Sequence, residues 1–149
     1  MLLIGADAAT DLDLFDAAQT AIVQENFTDY QSLKARGFDV ATRAEGDFDG
    51  AVVFLSRARA ATRARIAEAA ARLKPGASLW IDGQKTDGID AVLKELRALA
   101  PVDEGQSRAH GKIFRVTLPA DGWLPADWAA RDHEATPGMV TRPGVFSAD

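Results

Sequence analysis

One apolar segment limits the fold more than any other part of this sequence. Residues Phe48–Leu55 form a nearly continuous apolar run, Phe-Asp-Gly-Ala-Val-Val-Phe-Leu. A strand that is apolar throughout, rather than at alternate positions, is typical of a parallel sheet buried on both faces. The next segment, Ala58–Leu73, is rich in alanine and arginine and carries an apolar stripe at helical spacing. A buried strand followed by an amphipathic helix is the repeating unit of an α/β fold.

The same alternation of strand and helix patterns extends from Leu2 to Leu118. Further strands are predicted at Leu2–Gly5, Ala21–Glu25, Phe38–Arg43, Ser78–Gly83 and Lys112–Leu118. Further helices are predicted within Leu12–Thr20, at Tyr30–Arg36 and along the stripe Ile89–Leu96, with Thr86 or Asp87 as the cap of the last one. The final strand alternates more and is predicted to be antiparallel, at the far side of the sheet. We therefore expect a doubly wound, mostly parallel α/β sheet with right-handed crossovers.

After residue 118 the pattern stops. Four of the six prolines fall in this part, and we interpret residues 119–149 as a Pro/Gly-rich linker following a domain at 1–118. Trp123 and Trp128 lie in this segment. They are expected either to pack across a domain boundary or to fold back onto this domain's own core, and the second interpretation is favoured.

Composition restricts the possible functions. The net charge is -5, whereas a free-standing nucleic-acid binder is usually basic, so any RNA contact must be a local patch or lie on another part of the protein. The absence of cysteine excludes disulfides, cysteine metal sites and cysteine nucleophiles, and it favours a cytoplasmic location. No apolar run approaches the roughly 20 residues that a membrane span needs.

Three stretches, in this order and spacing, resemble one family. They are Phe48–Arg57 followed by an alanine-rich helix and Leu73–Gly76, then Asp82–Ile89, and finally Arg142–Ser147 with the sequence Arg-Pro-Gly-Val-Phe-Ser. Together they are similar to the N-terminal, pseudo-methyltransferase domain of the small-subunit 16S ribosomal RNA guanine-N2 methyltransferases. The resemblance implies a class I methyltransferase-like (Rossmann-like) fold. It also implies that the Pro-Gly-Val-Phe-Ser segment lies at the junction with a catalytic domain.

In that family the glycine-rich S-adenosylmethionine loop and an Asn-Pro-Pro-Phe-type catalytic motif follow this junction, and this chain stops two residues beyond Ser147. The resemblance therefore implies a catalytically silent domain. Its partners would be its own C-terminal catalytic domain and small-subunit ribosomal RNA, with S-adenosylmethionine as cofactor of the parent protein only. Two alternatives stay open: a stand-alone α/β binding or interaction module, and a small enzyme acting on an unrelated metabolite.

The residues themselves also argue against chemistry in this chain. A class I cofactor site needs glycines after the first strand, and only Gly5 stands there. Glu25 is placed to hold ribose hydroxyls, but without the glycine loop it is better explained as a surface carboxylate. Ser56 ends the fourth strand in place of a catalytic tetrapeptide residue, and it is interpreted as a turn or cap. His110 and His133 lack metal-ligand spacing, so no metal and no catalytic residue is expected.

A basic stretch is the one departure from an ordinary surface composition. Arg57, Arg59 and Arg63 belong to a run with a single acid, and Arg59 and Arg63 are neighbours on one helical face. The commonest reason for such a pattern is a solvated face with salt bridges to acids; the alternative is a phosphate-facing surface. The candidate RNA contacts are Arg57, Arg59, Arg63, Lys85, Arg108 and Lys112.

Overall fold

The architecture comes from a computed structural model, which describes residues 1–108, 110–120, 122–129, 133–136 and 139–141. For residues 108, 133–136 and 139–141 it describes the backbone alone. Within these ranges the strands are β1 (Leu2–Ile4), β2 (Ala21–Val23), β3 (Asp39–Ala41), β4 (Phe48–Phe54), β5 (Leu73–Gln84), β6 (Gln106–Arg108), β7 (Gly111–Thr117), β8 (His133–Thr136) and β9 (Met139–Thr141). The α-helices are α1 (Phe27–Ala35), α2 (Arg59–Ala70) and α3 (Ile89–Arg97).

Seven strands form one sheet in the order β3-β2-β1-β4-β5-β7-β6. All the pairs among the first five strands are parallel, whereas β7 runs antiparallel to β5 and β6 runs antiparallel to β7. The predicted mostly parallel sheet with an antiparallel strand near the C-terminal end is therefore confirmed. The edge position given to this strand was wrong, because β6 lies outside β7.

Helices cover both faces of the sheet. Neighbouring residues of β1 point to opposite sides: Leu2 and Ile4 belong to the core under α2 and α3, and Leu3 belongs to the core under α1. All three side chains are almost completely buried. Burial on both faces explains why the central strands are apolar throughout, as the sequence of β4 indicated.

The predicted helix within Leu12–Thr20 is not formed; a short 3-10 helix over Ala17–Gln19 is the helical element there. The carboxylates of Asp7, Asp11 and Asp16 each accept a hydrogen bond from the backbone N–H two residues later. Such side-chain bonds hold the backbone in turns and compete with a helix. The crossover from β1 to β2 therefore lacks an α-helix.

Two predicted boundaries are corrected as well. Neither Thr86 nor Asp87 caps α3: the cap position is Gly88, at φ +82°, with no side-chain hydrogen bond. The Asp87 carboxylate instead accepts from the backbone N–H of Gln84 at 3.1 Å. The preceding helix, predicted over Ala58–Leu73, ends at Ala70, and Leu73 begins the long strand β5.

Part of the segment after residue 118 folds back onto the core. Trp128 lies in a short 3-10 helix, is 5% exposed and belongs to the core cluster under α2 and α3, while Trp123 packs against the same cluster. The favoured interpretation of these tryptophans is therefore confirmed. In the described part of the chain, no helix is long and apolar enough to cross a membrane.

We predict that Trp128→Ala lowers the free energy of unfolding by about 3–5 kcal/mol, because it removes a large buried side chain and leaves a cavity. Urea denaturation followed by circular dichroism measures the change. The matched control is Phe27→Ala, which truncates an aromatic side chain that is 71% exposed and should cost less than about 1 kcal/mol. Equal costs for the two variants would contradict the packing of Trp128.

Candidate nucleic-acid interface

The strand order reverses at β1, which has β2 on one side and β4 on the other. In open α/β sheets a ligand crevice forms at the carboxyl ends of the strands at such a reversal. We call this place, between Gly5 after β1 and Phe54 at the end of β4, the strand-end crevice. It is where a cofactor would bind if this chain had a site of the usual kind.

The guanidinium group of Arg65, on α2, occupies the strand-end crevice. Its Nη1 donates to the backbone carbonyl of Phe54 at 2.8 Å. The same nitrogen lies 2.6 Å from the point where a Cβ on Gly5 would stand. Burial lowers the pKa of Arg65, and the nearby carboxylates of Glu25, Asp87 and Asp7 oppose that shift. The space over Gly5 is thus filled by a cation from the chain itself.

The backbone donors that follow β1 are also occupied. The N–H of Asp7 donates to Thr10 Oγ1 at 2.9 Å, that of Ala8 to Asp29 Oδ1 at 3.1 Å, and that of Ala9 to Asp7 Oδ1 at 2.9 Å. In a glycine-rich loop these groups point at a bound ligand and lead into a helix N-terminus. Here they are satisfied by the chain's own side chains.

Ser56 stabilises a turn, in agreement with its interpretation from the sequence. Its Oγ accepts from the N–H of Ala58 at 3.1 Å, and its backbone N–H and carbonyl both bond to the hydroxyl of Thr62. The bonds between Ser56 and Thr62 fix the loop that leads from β4 into α2. They also fix the position of Arg57 within that loop.

Four of the six candidate RNA contacts lie together. Arg57, Arg59, Arg63 and Lys85 line one cavity of about 290 Å³ between α2 and α3, which we call the arginine cavity. Arg57 follows β4 and Lys85 follows β5, so the cavity opens at the carboxyl edge of the sheet.

Acids and apolar side chains complete the cavity. Glu95 of α3 pairs with Arg59 at 2.9 Å and with Arg63 at 3.1 Å. The Arg63 guanidinium also lies over the ring of Trp128, 5.3 Å from its centroid. The salt bridges expected for a solvated arginine face therefore exist, but both end on one carboxylate inside a cavity.

The other two candidates lie elsewhere. Lys112 is not among the residues that line the arginine cavity, and its Nζ donates to Asp90 Oδ1 at 2.7 Å. That hydrogen bond, more than the charge of Lys112, lowers the pKa of the Asp90 carboxyl. The side chain of Arg108 lies outside the described residues.

The structure describes the side chain of one of the two histidines. His110 is exposed, and its backbone carbonyl accepts from Lys85 N, while the side chain of His133 lies outside the described residues. Among the residues that the structure describes, no group of three or more His, Cys, Asp or Glu side chains is placed to hold a metal ion.

Sequence analysis missed three residues that define the strand-end crevice and the arginine cavity. Arg65 belongs to the same basic stretch, but its phase on α2 differs from that of Arg59 and Arg63. Glu95 and Trp128 reach the arginine cavity from α3 and from the segment after residue 118. No spacing in the sequence links them to Arg63, because the contacts are tertiary.

The sheet order and the placement of the helices define a class I methyltransferase-like fold. The N-methyltransferase NodS from Bradyrhizobium japonicum, solved with S-adenosyl-l-homocysteine, aligns with a TM-score of 0.63 over 79% of this chain and 76% of its own length, at 15% identity. The 16S rRNA N2 G1207 methyltransferase of T. thermophilus, in complex with AdoMet and guanosine, aligns with a TM-score of 0.75 at 23% identity. That alignment covers 99% of this chain and 43% of the other.

The family model for the N-terminal part of the small methyltransferase domain (Methyltransferase small domain N-terminal) matches residues 1–129, and the chain belongs to this family. Ribosomal RNA small subunit methyltransferase C of Hahella chejuensis is 29% identical over 118 residues, which are 74% of this chain. Its counterpart in Pseudomonas aeruginosa (strain LESB58) is 33% identical over 113 residues, or 71% of the chain. The chain spans about a third of each relative, 34% in both cases.

We predict that Gly5→Ala destabilises the chain by about 1–3 kcal/mol more than Gly37→Ala, because only the first variant places a methyl group against other atoms. Both glycines have a positive φ, +91° and +94°, so the backbone strain is matched. A Cβ at Gly5 would meet Arg65 Nη1 and the Phe54 carbonyl, whereas nothing lies within 4 Å at Gly37. Chemical denaturation gives both free energies, and equal losses would show that the crevice is open.

Proposed function

We propose that this chain is the N-terminal, catalytically silent domain of an S-adenosylmethionine-dependent rRNA (guanine-N2) methyltransferase, acting in the cytoplasm. Its work is to support the catalytic domain and to position the ribosomal RNA substrate. The family membership and the names of the relatives support the type of parent enzyme. The catalytically silent role rests on the strand-end crevice, and the RNA-positioning role rests on the arginine cavity.

The silent role is supported by the state of the strand-end crevice. Methyl transfer needs a donor seated against backbone N–H groups, and here the three N–H groups after Ala6 are bonded to side chains of the chain. Arg65 fills the remaining space over Gly5. A donor molecule would have to displace a partly buried cation from its carbonyl partner and remodel the turn.

The reaction would then take place in the catalytic domain that the resemblance implies after the Pro-Gly-Val-Phe-Ser segment. Residues 1–118 would form the silent domain, and residues 119–149 would lead to its partner. S-adenosylmethionine would be the cofactor of the parent enzyme.

The RNA-positioning role is carried by one observation: four cations converge on one cavity in a chain whose net charge is -5. Phosphate contacts supply most of the sequence-independent affinity for RNA and fix its orientation. A local cluster at the carboxyl edge of the sheet suits a domain that grips the RNA backbone while another domain reads the base.

We predict that isothermal titration calorimetry detects no binding of S-adenosylmethionine to this chain. The physical reason is that the N–H groups of residues 7–9 are bonded to side chains of the chain and that Arg65 occupies the space over Gly5. A known class I methyltransferase, titrated in the same buffer, verifies the donor preparation. Saturable binding of the donor to this chain would refute the silent role without affecting the RNA-positioning role.

We predict that the double variant Arg57→Ala/Arg59→Ala weakens binding of small-subunit rRNA by about tenfold at low salt, because two phosphate contacts are lost. The slope of log affinity against log salt should fall by about 0.7–0.9 per lost contact. Fluorescence anisotropy with a labelled rRNA fragment measures both quantities.

The control removes the same charge from the C-terminal half of α3. Lys94→Ala/Arg97→Ala changes two exposed residues that do not line the arginine cavity, and it should leave the affinity nearly unchanged. If both double variants lose affinity equally, the effect is one of overall charge. If wild-type chain binds no RNA at all, the cavity belongs to an interaction module of another kind.

A further inference from the structure

We infer that the arginine cavity is a site for a single RNA phosphodiester, and that Glu95 occupies the anion position until the phosphate displaces it. This inference rests on the proposed RNA-positioning role. It adds the ligand group, its place and the residue that competes with it.

Both carboxylate oxygens of Glu95 accept hydrogen bonds from arginines of α2. Its Oε1 accepts from Arg59 Nη2 at 2.9 Å and its Oε2 accepts from Arg63 Nη2 at 3.1 Å. One carboxylate thus bridges two arginines that are four residues apart on α2. A phosphodiester likewise offers two anionic oxygens on one atom, its non-bridging oxygens.

The bridge leaves Arg63 incompletely paired. Its Nε is buried, and no hydrogen-bond partner for it exists among the described residues. A guanidinium presents Nε and Nη2 as a parallel fork that matches a bidentate oxyanion, and Glu95 fills only the Nη2 half. Trp128 holds the guanidinium from below, at 5.3 Å, so the fork keeps its orientation. A tetrahedral phosphate has the oxygens to fill both halves.

The remaining cations fit an RNA strand that enters from solvent. Arg57 and Lys85 are both exposed and line the same cavity. In total the cavity presents four cations against two carboxylates, Asp87 and Glu95. Its volume of about 290 Å³ is at the lower end of the range for ligand pockets, which suits one phosphate with its sugar and not a duplex groove.

Breaking the Arg59 half of the bridge costs little. The Arg59 side chain is 65% exposed, against 32% for Arg63 and 24% for Glu95, and ion pairs that reach solvent contribute weakly to stability. A phosphate held by three guanidinium groups and an ammonium can therefore replace the carboxylate. The gain over an open basic patch is selectivity, since a weak or badly placed anion does not displace Glu95.

The experiment compares binding of a labelled single-stranded RNA oligonucleotide by wild-type chain, Glu95→Gln, Glu95→Asp and Glu104→Gln at low salt. Glu95→Gln should bind about three- to tenfold more tightly than wild type, because two guanidinium groups are released. Glu104→Gln makes the same change of net charge at an exposed site that does not line the cavity, and it should match wild type.

Glu95→Asp separates release of the arginines from loss of charge. The shorter side chain keeps the carboxylate but cannot bridge both arginines as Glu95 does, so it should also bind more tightly than wild type. Thermal unfolding of each variant verifies that the fold is kept. Inorganic phosphate as competitor distinguishes a free anion from a strand: a gain at Glu95→Gln seen for inorganic phosphate and not for the oligonucleotide would overturn the inference.

The outcomes also separate this inference from the proposed function. If Arg57→Ala/Arg59→Ala weakens RNA binding while Glu95→Gln behaves like Glu104→Gln, the RNA-positioning role stands and the competition by Glu95 is wrong. If wild type and every Glu95 variant fail to bind RNA, the proposed RNA role itself fails, and the inference with it.

Discussion

The contact between α2 and the sheet is the interaction on which the arginine cavity and the strand-end crevice both depend. The buried face of α2 consists of Ala61, Thr62, Ile66 and Ala69, all almost completely buried. Because two of these are alanines, the helix lies close to the strands. At about 100° per residue, Arg59 and Arg63 fall on one flank of Ile66 and Arg65 falls on the other. One helix thus directs cations to two sides, toward the arginine cavity and toward the strand-end crevice.

The sequence predicted those parts of the fold in which local pattern and tertiary environment agree. The central strands are buried on both faces, so their continuous apolar runs identified them directly. The helix predicted after β1 was wrong for the opposite reason. Asp7, Asp11 and Asp16 accept hydrogen bonds from nearby backbone N–H groups and stabilise turns, which a helical pattern of apolar residues does not reveal. Strand β6 is short and polar, and it exists because it pairs with β7. The local sequence of β6 does not reveal this pairing.

The candidate site was also predicted in part: its arginines were identified from the sequence, and their partners were not. The run of arginines and their helical spacing could be read from the sequence, and four of the six candidates do meet in one cavity. Their acidic partner could not, because Glu95 comes from another helix, 32 positions after Arg63. The role of Arg65 was hidden for a related reason. Its position over Gly5 depends on how close α2 approaches β1 and β4, which alanine spacing permits but does not specify.

The two arginine environments differ in what their partners allow. Arg65 donates to a backbone carbonyl, which cannot move away or change its charge, and it lies over a glycine with no side chain to yield. The partner of Arg65 is therefore kept as long as the sheet is intact. Arg59 and Arg63 are held by a carboxylate on a flexible side chain near solvent, a partner that another anion can replace. The first arrangement closes a crevice and the second keeps a cavity ready for exchange. In the proposed parent enzyme this difference would confine methyl transfer to the other domain and leave this one able to hold the RNA backbone.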